Sequence, residues 1–74
     1  MEVLMLDRKI IDNIINRRKN LGVTQCHLAQ LSGLSEITIK KIESGKTNPT
    51  INTLLKIAEV LGLEIDLKIK QTNI

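Results

Sequence analysis

An all-α fold of four to five short helices, followed by a short C-terminal β-strand, is what this 74-residue chain predicts. Three observations lead there. Apolar residues recur at three- and four-residue spacing over most of the chain, the period of a helix with one buried face. Gly22, Gly33, Gly45 and Gly62 each close such a stretch, as a helix C-terminus favours. Over Glu64–Lys70 (EIDLKIK) the period changes to two, the alternation of a half-buried strand.

The first helix is expected from about Arg8 to Asn20, with Asp7 as its N-cap. Ile10 and Ile14 suit an intramolecular core face. Ile11 and Ile15 form a second stripe four residues apart, which either widens that face or meets the tail or a second subunit. The second helix runs from its cap Thr24 to about Leu31, and the third follows the cap Ser35 to about Ser44. A loop over Gly45–Thr50 holds the only proline, Pro49. The fourth helix follows Asn52 and ends near Leu61, with Leu54, Leu55, Ile57, Ala58 and Leu61 at core spacing. The tail strand has no partner in its own chain unless Val3–Leu6 pairs with it. Its expected mate is therefore the same strand of a second chain, with Ile65, Leu67 and Ile69 on the buried face. The expectation is one domain, with a helical core over residues 8–63 and a dimerisation strand over 64–70.

Composition narrows the function. There is no Phe, Tyr or Trp, so the core must be aliphatic. That also argues against RNA or single strands as the target, because those sites stack bases on aromatic rings. A net charge of +3 and a pI near 9.3 are compatible with a polyanionic partner. Cys26 is the only cysteine, so no internal disulfide or cysteine-based metal site can form. Side chains at adjacent helical positions diverge, so His27 beside Cys26 makes no metal pair. No nucleophile–base constellation and no glycine-rich phosphate loop is present; neither a cofactor nor an enzymatic activity is expected. The opening MEVLMLDRKII is too short and too charged for a signal peptide, and no apolar run reaches the roughly 20 residues that span a bilayer. A cytosolic protein away from membranes is the expectation.

Residues 24–49, TQCHLAQLSGLSEITIKKIESGKTNP, carry the functional signal. Gln25 opens a helix, where its side chain and the first backbone N–H groups can meet a phosphate. Ala29, one turn on, leaves room for a second helix to cross closely. Gly33 occupies the turn. Ile39 and Ile42 direct the apolar side of the next helix back onto the first. These residues at these offsets are the pattern of a DNA-binding helix-turn-helix.

From Arg8 to Leu63 the chain resembles the phage-repressor and Cro-like (XRE-type) helix-turn-helix family. The matching residues are Arg18-x3-Gly22-Val23-Thr24-Gln25-x2-Leu28-Ala29 and Ser32-Gly33-Leu34-Ser35-x2-Thr38-Ile39. They continue as Ile42-Glu43-x-Gly45-Lys46-x2-Pro49 and Thr53-Leu54-x2-Ile57-Ala58-x2-Leu61-Gly62. The resemblance implies a compact repressor-like domain that binds double-stranded operator DNA as a homodimer. The alternating tail departs from the plain pattern and is similar to the HipB-type antitoxins, which implies a HipA-like kinase toxin as a further partner.

In such a domain the third helix enters the major groove with its N-terminal residues against base edges. The alignment then makes Glu36, Ile37 and Lys41 the base readers. Lys41 can donate to guanine, Glu36 can accept from cytosine N4, and Ile37 can pack on a thymine methyl. Stabilisation of the helix dipole is the structural alternative for Glu36. Phosphate contacts are expected from Thr24 and Gln25, from Lys40 and Ser44, and from Lys46, Thr47 and Asn48 in the next loop. The family pattern pairs Arg18 with Glu43 as a structural salt bridge between the first and third helices. The rival function is a protein-interaction module on the same fold without specific DNA binding.

Overall fold

The computed structural model describes residues 8–66. Four helices form among them: α1 (Arg8–Asn20), α2 (Gln25–Ser32), α3 (Glu36–Glu43) and α4 (Ile51–Leu61). The Asp7 cap, the Val3–Leu6 pairing and residues 67–70 of the tail lie outside the described residues. Glu64, Ile65 and Asp66, the part of the expected strand that is described, form neither helix nor strand and are exposed. A strand exists only against a ladder partner, and the described residues offer none.

The helices α2, α3 and α4 each begin where a hydroxyl can replace the missing carbonyl of the preceding turn. Thr24 Oγ1 accepts from the His27 N–H and Ser35 Oγ from the Thr38 N–H, both at 3.0 Å. The fourth helix corrects its expected start. Thr50, not Asn52, is the cap: its Oγ1 accepts from the Thr53 N–H at 3.1 Å, so the helix opens at Ile51. The α2–α3 turn closes on Gly33 at φ 72°. There the Leu34 N–H reaches back to Ala29 O at 3.0 Å, and Leu34 itself packs against the core.

The core is aliphatic throughout. α2 packs against α3 and α4, and α1 lies across α3 and α4. Leu28, Ile39, Ile42, Ile57 and Leu61 are the largest side chains sealed from solvent, with Ala29, Leu54 and Ala58 beside them. α1 presents Ile11, Ile14 and Arg18, positions i, i+3 and i+7, as its buried stripe. This corrects the expected pairing of Ile10 with Ile14: Ile10 is 41% exposed, while Ile11 is buried and Ile15 flanks the cluster. The helix is rotated so that Arg18 points inward, and Ile11 lies on Arg18's side of the helix while Ile10 does not. On α4 the inner face is Leu54, Ile57, Ala58 and Leu61, and Leu55, expected in the core, is 47% exposed. The inner stripe is already complete at i, i+3, i+4 and i+7, and Leu55 stands about 100° away from Leu54 around the helix.

Truncating Leu28 to Ala removes a side chain with no solvent contact, and the expected loss is about 2–5 kcal/mol in urea unfolding. Leu55→Ala, by contrast, is expected to cost about 0.5 kcal/mol or less. Equal losses for the two would contradict this assignment of the inner face of α4. Gly33→Ala is expected to cost about 1 kcal/mol. A Cβ there meets no heavy atom within 4 Å, so the whole penalty is backbone strain at positive φ.

Candidate nucleic-acid interface

Ile39 and Ile42 are almost fully buried, which fixes the rotation of α3 and determines which of its residues face outward. Ile37 is 66% exposed. Lys40, Lys41 and Ser44 are exposed and Glu36 is half-buried. The outer face thus holds a carboxylate, a β-branched apolar side chain and two ammonium groups within two turns. Glu36 and Lys40 pair across one turn at 3.3 Å with both side chains largely in water. Ser35 Oγ and Thr38 Oγ1 lie 2.8 Å apart at the start of the same helix.

Of the residues expected at phosphates, Lys40 and Ser44 belong to α3 and its C-cap, and the others lie at the start of α2 and in the turn after α3. Thr24 is exposed at the start of α2, its oxygen occupied by the His27 N–H and its hydroxyl proton still available as a donor. After α3 the chain turns through Ser44, Gly45 and Lys46. Ser44 Oγ donates to Lys41 O at 3.2 Å, and the Lys46 N–H donates to the same oxygen at 2.9 Å. Lys46, Thr47 and Asn48 are exposed beyond that turn. Gln25 is different. It is half-buried, and its Nε2 donates to Glu43 Oε1 at 2.9 Å.

Glu43, the last residue of α3, is the centre of a buried polar cluster. Arg18 Nε donates to Oε2 at 2.8 Å and Nη2 to Oε1 at 2.9 Å, a two-bond fork with side chains only 10% and 7% exposed. The third Arg18 nitrogen, Nη1, donates to Val23 O at 2.9 Å, just before α2. Arg18 therefore ties the end of α1 to the start of α2 and the end of α3.

Two further arginines of α1 hold helix ends that spacing arguments did not assign. Arg8 Nη1 donates to the carbonyl oxygen of Glu43 at 3.0 Å, and Arg17 Nε to that of Leu61 at 2.8 Å. Each places a cation at a C-terminal helix carbonyl, where the helix dipole favours it. The partners lie 35 and 44 residues away along the chain, so no local period reveals them. Ser32 is also buried, its hydroxyl turned back to Leu28 O at 2.7 Å. Among the described residues no cluster of His, Cys, Asp and Glu could hold a metal ion.

With this geometry the sequence comparison is specific. The profile of the helix-turn-helix family HTH_3 matches residues 14–68. The chain belongs to this family. Among its relatives, an uncharacterised HTH-type transcriptional regulator of Haemophilus influenzae is 43% identical over 53 residues, 72% of this chain and 54% of that protein. The transcriptional repressor RstR of the cryptic phage CTXphi from Vibrio cholerae is 41% identical over 58 residues, 78% of this chain and 52% of the repressor. The chain thus spans about half the length of these relatives. The crystal structure of the P22 c2 repressor bound to a synthetic operator superposes with a TM-score of 0.69 at 26% identity. That match covers 84% of this chain and 88% of the repressor chain.

Removing Arg18 leaves Glu43 buried without its cation. Arg18→Ala is expected to lower stability by about 3–5 kcal/mol, a drop in thermal midpoint visible before any DNA is added. Arg8→Ala breaks one part-buried hydrogen bond and an exposed ion pair with Asp12, and is expected to cost about 1 kcal/mol. An unchanged melt for Arg18→Ala would reassign that residue to the surface.

Proposed function

We propose that this chain is a sequence-specific double-stranded DNA-binding transcriptional regulator, acting as a repressor in the prokaryotic cytosol. The observation that carries this reading is the outer face of α3, where Ile37 and Lys41 stand exposed and Glu36 half-exposed beyond a deeply anchored inner face. A helix held in this way can enter a major groove without repacking the domain. The resemblance to a repressor solved on its operator supports the same assignment. In this reading Glu36, Ile37 and Lys41 contact base edges. Thr24, Gln25, Lys40, Ser44, Lys46, Thr47 and Asn48 contact phosphates and set the register of the helix on the duplex.

The regulator acts as a homodimer in this proposal. Two recognition helices grip half-sites about 34 Å apart only when a second contact fixes their separation. The tail is the proposed contact, through Ile65, Leu67 and Ile69. Support comes from Ile65, which is exposed and lines an apolar groove of about 360 Å³ together with Ile10, Ile14, Ile51 and Leu54. Apolar surface of this kind is stabilised by burial against a partner. A HipB-type antitoxin role, with a HipA-like kinase as second partner, rests on the alternating tail alone. A HipA-like kinase that does not bind the chain in titration calorimetry removes that role and leaves the DNA reading untouched.

Lys41→Ala is expected to weaken binding to the preferred duplex by about 1–3 kcal/mol and to relax base preference. Lys46→Ala should weaken all duplexes alike and flatten the salt dependence by about one unit in the log–log slope. Indistinguishable specificity profiles for the two variants would dissolve the division between reader and clamp. Absence of any steep salt dependence in the parent protein would favour the protein-interaction module. Truncation after Leu63 should convert dimer to monomer in sedimentation velocity while the helical signal persists. A truncated protein still dimeric at micromolar concentration would rule out the tail as the interface.

A further inference from the structure

We propose that Glu43, beyond its ion pair with Arg18, is a positioning residue that holds the Gln25 amide in its phosphate-donating orientation. The inference rests on the DNA-binding reading above and deepens it. Gln25 is the first residue of α2, at the end of the helix where unpaired backbone N–H groups and the positive end of the dipole favour a phosphate. Its amide could in principle point either way, because the oxygen and nitrogen ends have nearly the same shape. Glu43 removes the choice. Its Oε1 lies 2.9 Å from Gln25 Nε2, and a flipped amide would set two oxygens against each other at that distance. The carboxylate is in turn immobilised by the two-bond fork from Arg18. One N–H of the amide is spent on Glu43, and the second remains for an external acceptor.

This chain of contacts links a buried ion pair to a surface contact through one side chain. The bond from Gln25 goes to a charged acceptor, which makes it stronger and more directional than a neutral one. Gln25 consequently meets DNA already oriented, and the entropy of fixing its rotamers is lost on folding and not on binding. Glu43 touches no DNA in this arrangement and acts only through Gln25.

The test is a double-mutant cycle read on two duplexes, one selected from a random pool and one scrambled to the same length. In the parent protein Gln25→Ala should weaken both duplexes equally, on the order of tenfold, as expected for loss of one hydrogen bond to a charged group. The second background replaces the ion pair by apolar residues of similar volume, Arg18→Met with Glu43→Met, a kind of change that folded proteins can tolerate. With the carboxylate gone, Gln25→Ala should cost only about threefold or less, the signature of coupled residues. A purely structural role for Glu43 would lower affinity in that background but leave the Gln25→Ala factor at its parent value, and that result overturns the proposal. Nitrogen relaxation of the side-chain amides in the free parent protein gives a second reading that needs no variant to fold. Gln25 should be more ordered than the exposed Gln30, and equal mobility overturns the proposal as well. Parent protein that binds neither duplex overturns the DNA-binding reading itself, an outcome distinct from binding with an unchanged Gln25→Ala factor.

Discussion

The carboxylate of Glu43 is the point on which the arrangement of the helices depends. A carboxylate withdrawn from water loses several kcal/mol of solvation, and that loss is offset only where donors surround it in good geometry. Here three N–H groups reach it, two from Arg18 and one from Gln25. Arg18 uses its remaining terminal nitrogen on Val23 O, and no buried side-chain polar atom among the described residues lacks a partner. The end of α1, the start of α2 and the end of α3 therefore converge on one group. The net contribution of such a pair to stability is modest, whereas the penalty for disrupting half of it is large. Its structural effect is to make any other relative placement of these three helices costly.

An all-aliphatic core makes that constraint more consequential. Isoleucine and leucine side chains of similar volume can repack in more than one way at small cost. A guanidinium fork has one good geometry. α1 supplies three arginines to this end: Arg8 to the last carbonyl of α3, Arg17 to the last carbonyl of α4, and Arg18 to Glu43 itself. Apolar burial holds the domain together, and the arginines determine how the helices are set against one another.

The outer face of α3 shows the opposite treatment of charge. Glu36 and Lys40 pair at the surface, where water screens the attraction and an ion pair adds about 0.3–0.5 kcal/mol. Such a pair can be exchanged for contacts to a ligand with little loss. Lys41, Ile37 and Lys46 are exposed. The helix that carries the outer residues is thus rigidly placed while the residues themselves remain free to adapt. Rigid placement with adaptable tips suits sequence readout, in which backbone register is set by the domain and discrimination by side chains.

Much of this was legible in the chain because it depends on local rules. The three- and four-residue apolar period located the helices, Thr24 and Ser35 marked two starts through their hydroxyls, and the Gly33 turn followed from the need for a positive φ. The spacing of Ile39 and Ile42 determined which side of α3 turns inward, and so which residues face outward. What the tertiary structure alone decided involves partners distant in sequence. Ile10 and Ile11 have the same chemistry, and only the inward turn of Arg18 toward Glu43 selects Ile11 for the core. Leu55 is as apolar as Leu54 and shares a spacing of three with Ala58, but the neighbouring helices cover only Leu54. The anchoring by Arg8 and Arg17 and the bond from Gln25 to Glu43 arise from contacts 18 to 44 residues apart. A periodic pattern specifies which faces of a helix can be buried; the rotation that selects among them is set by charges whose partners lie on other helices.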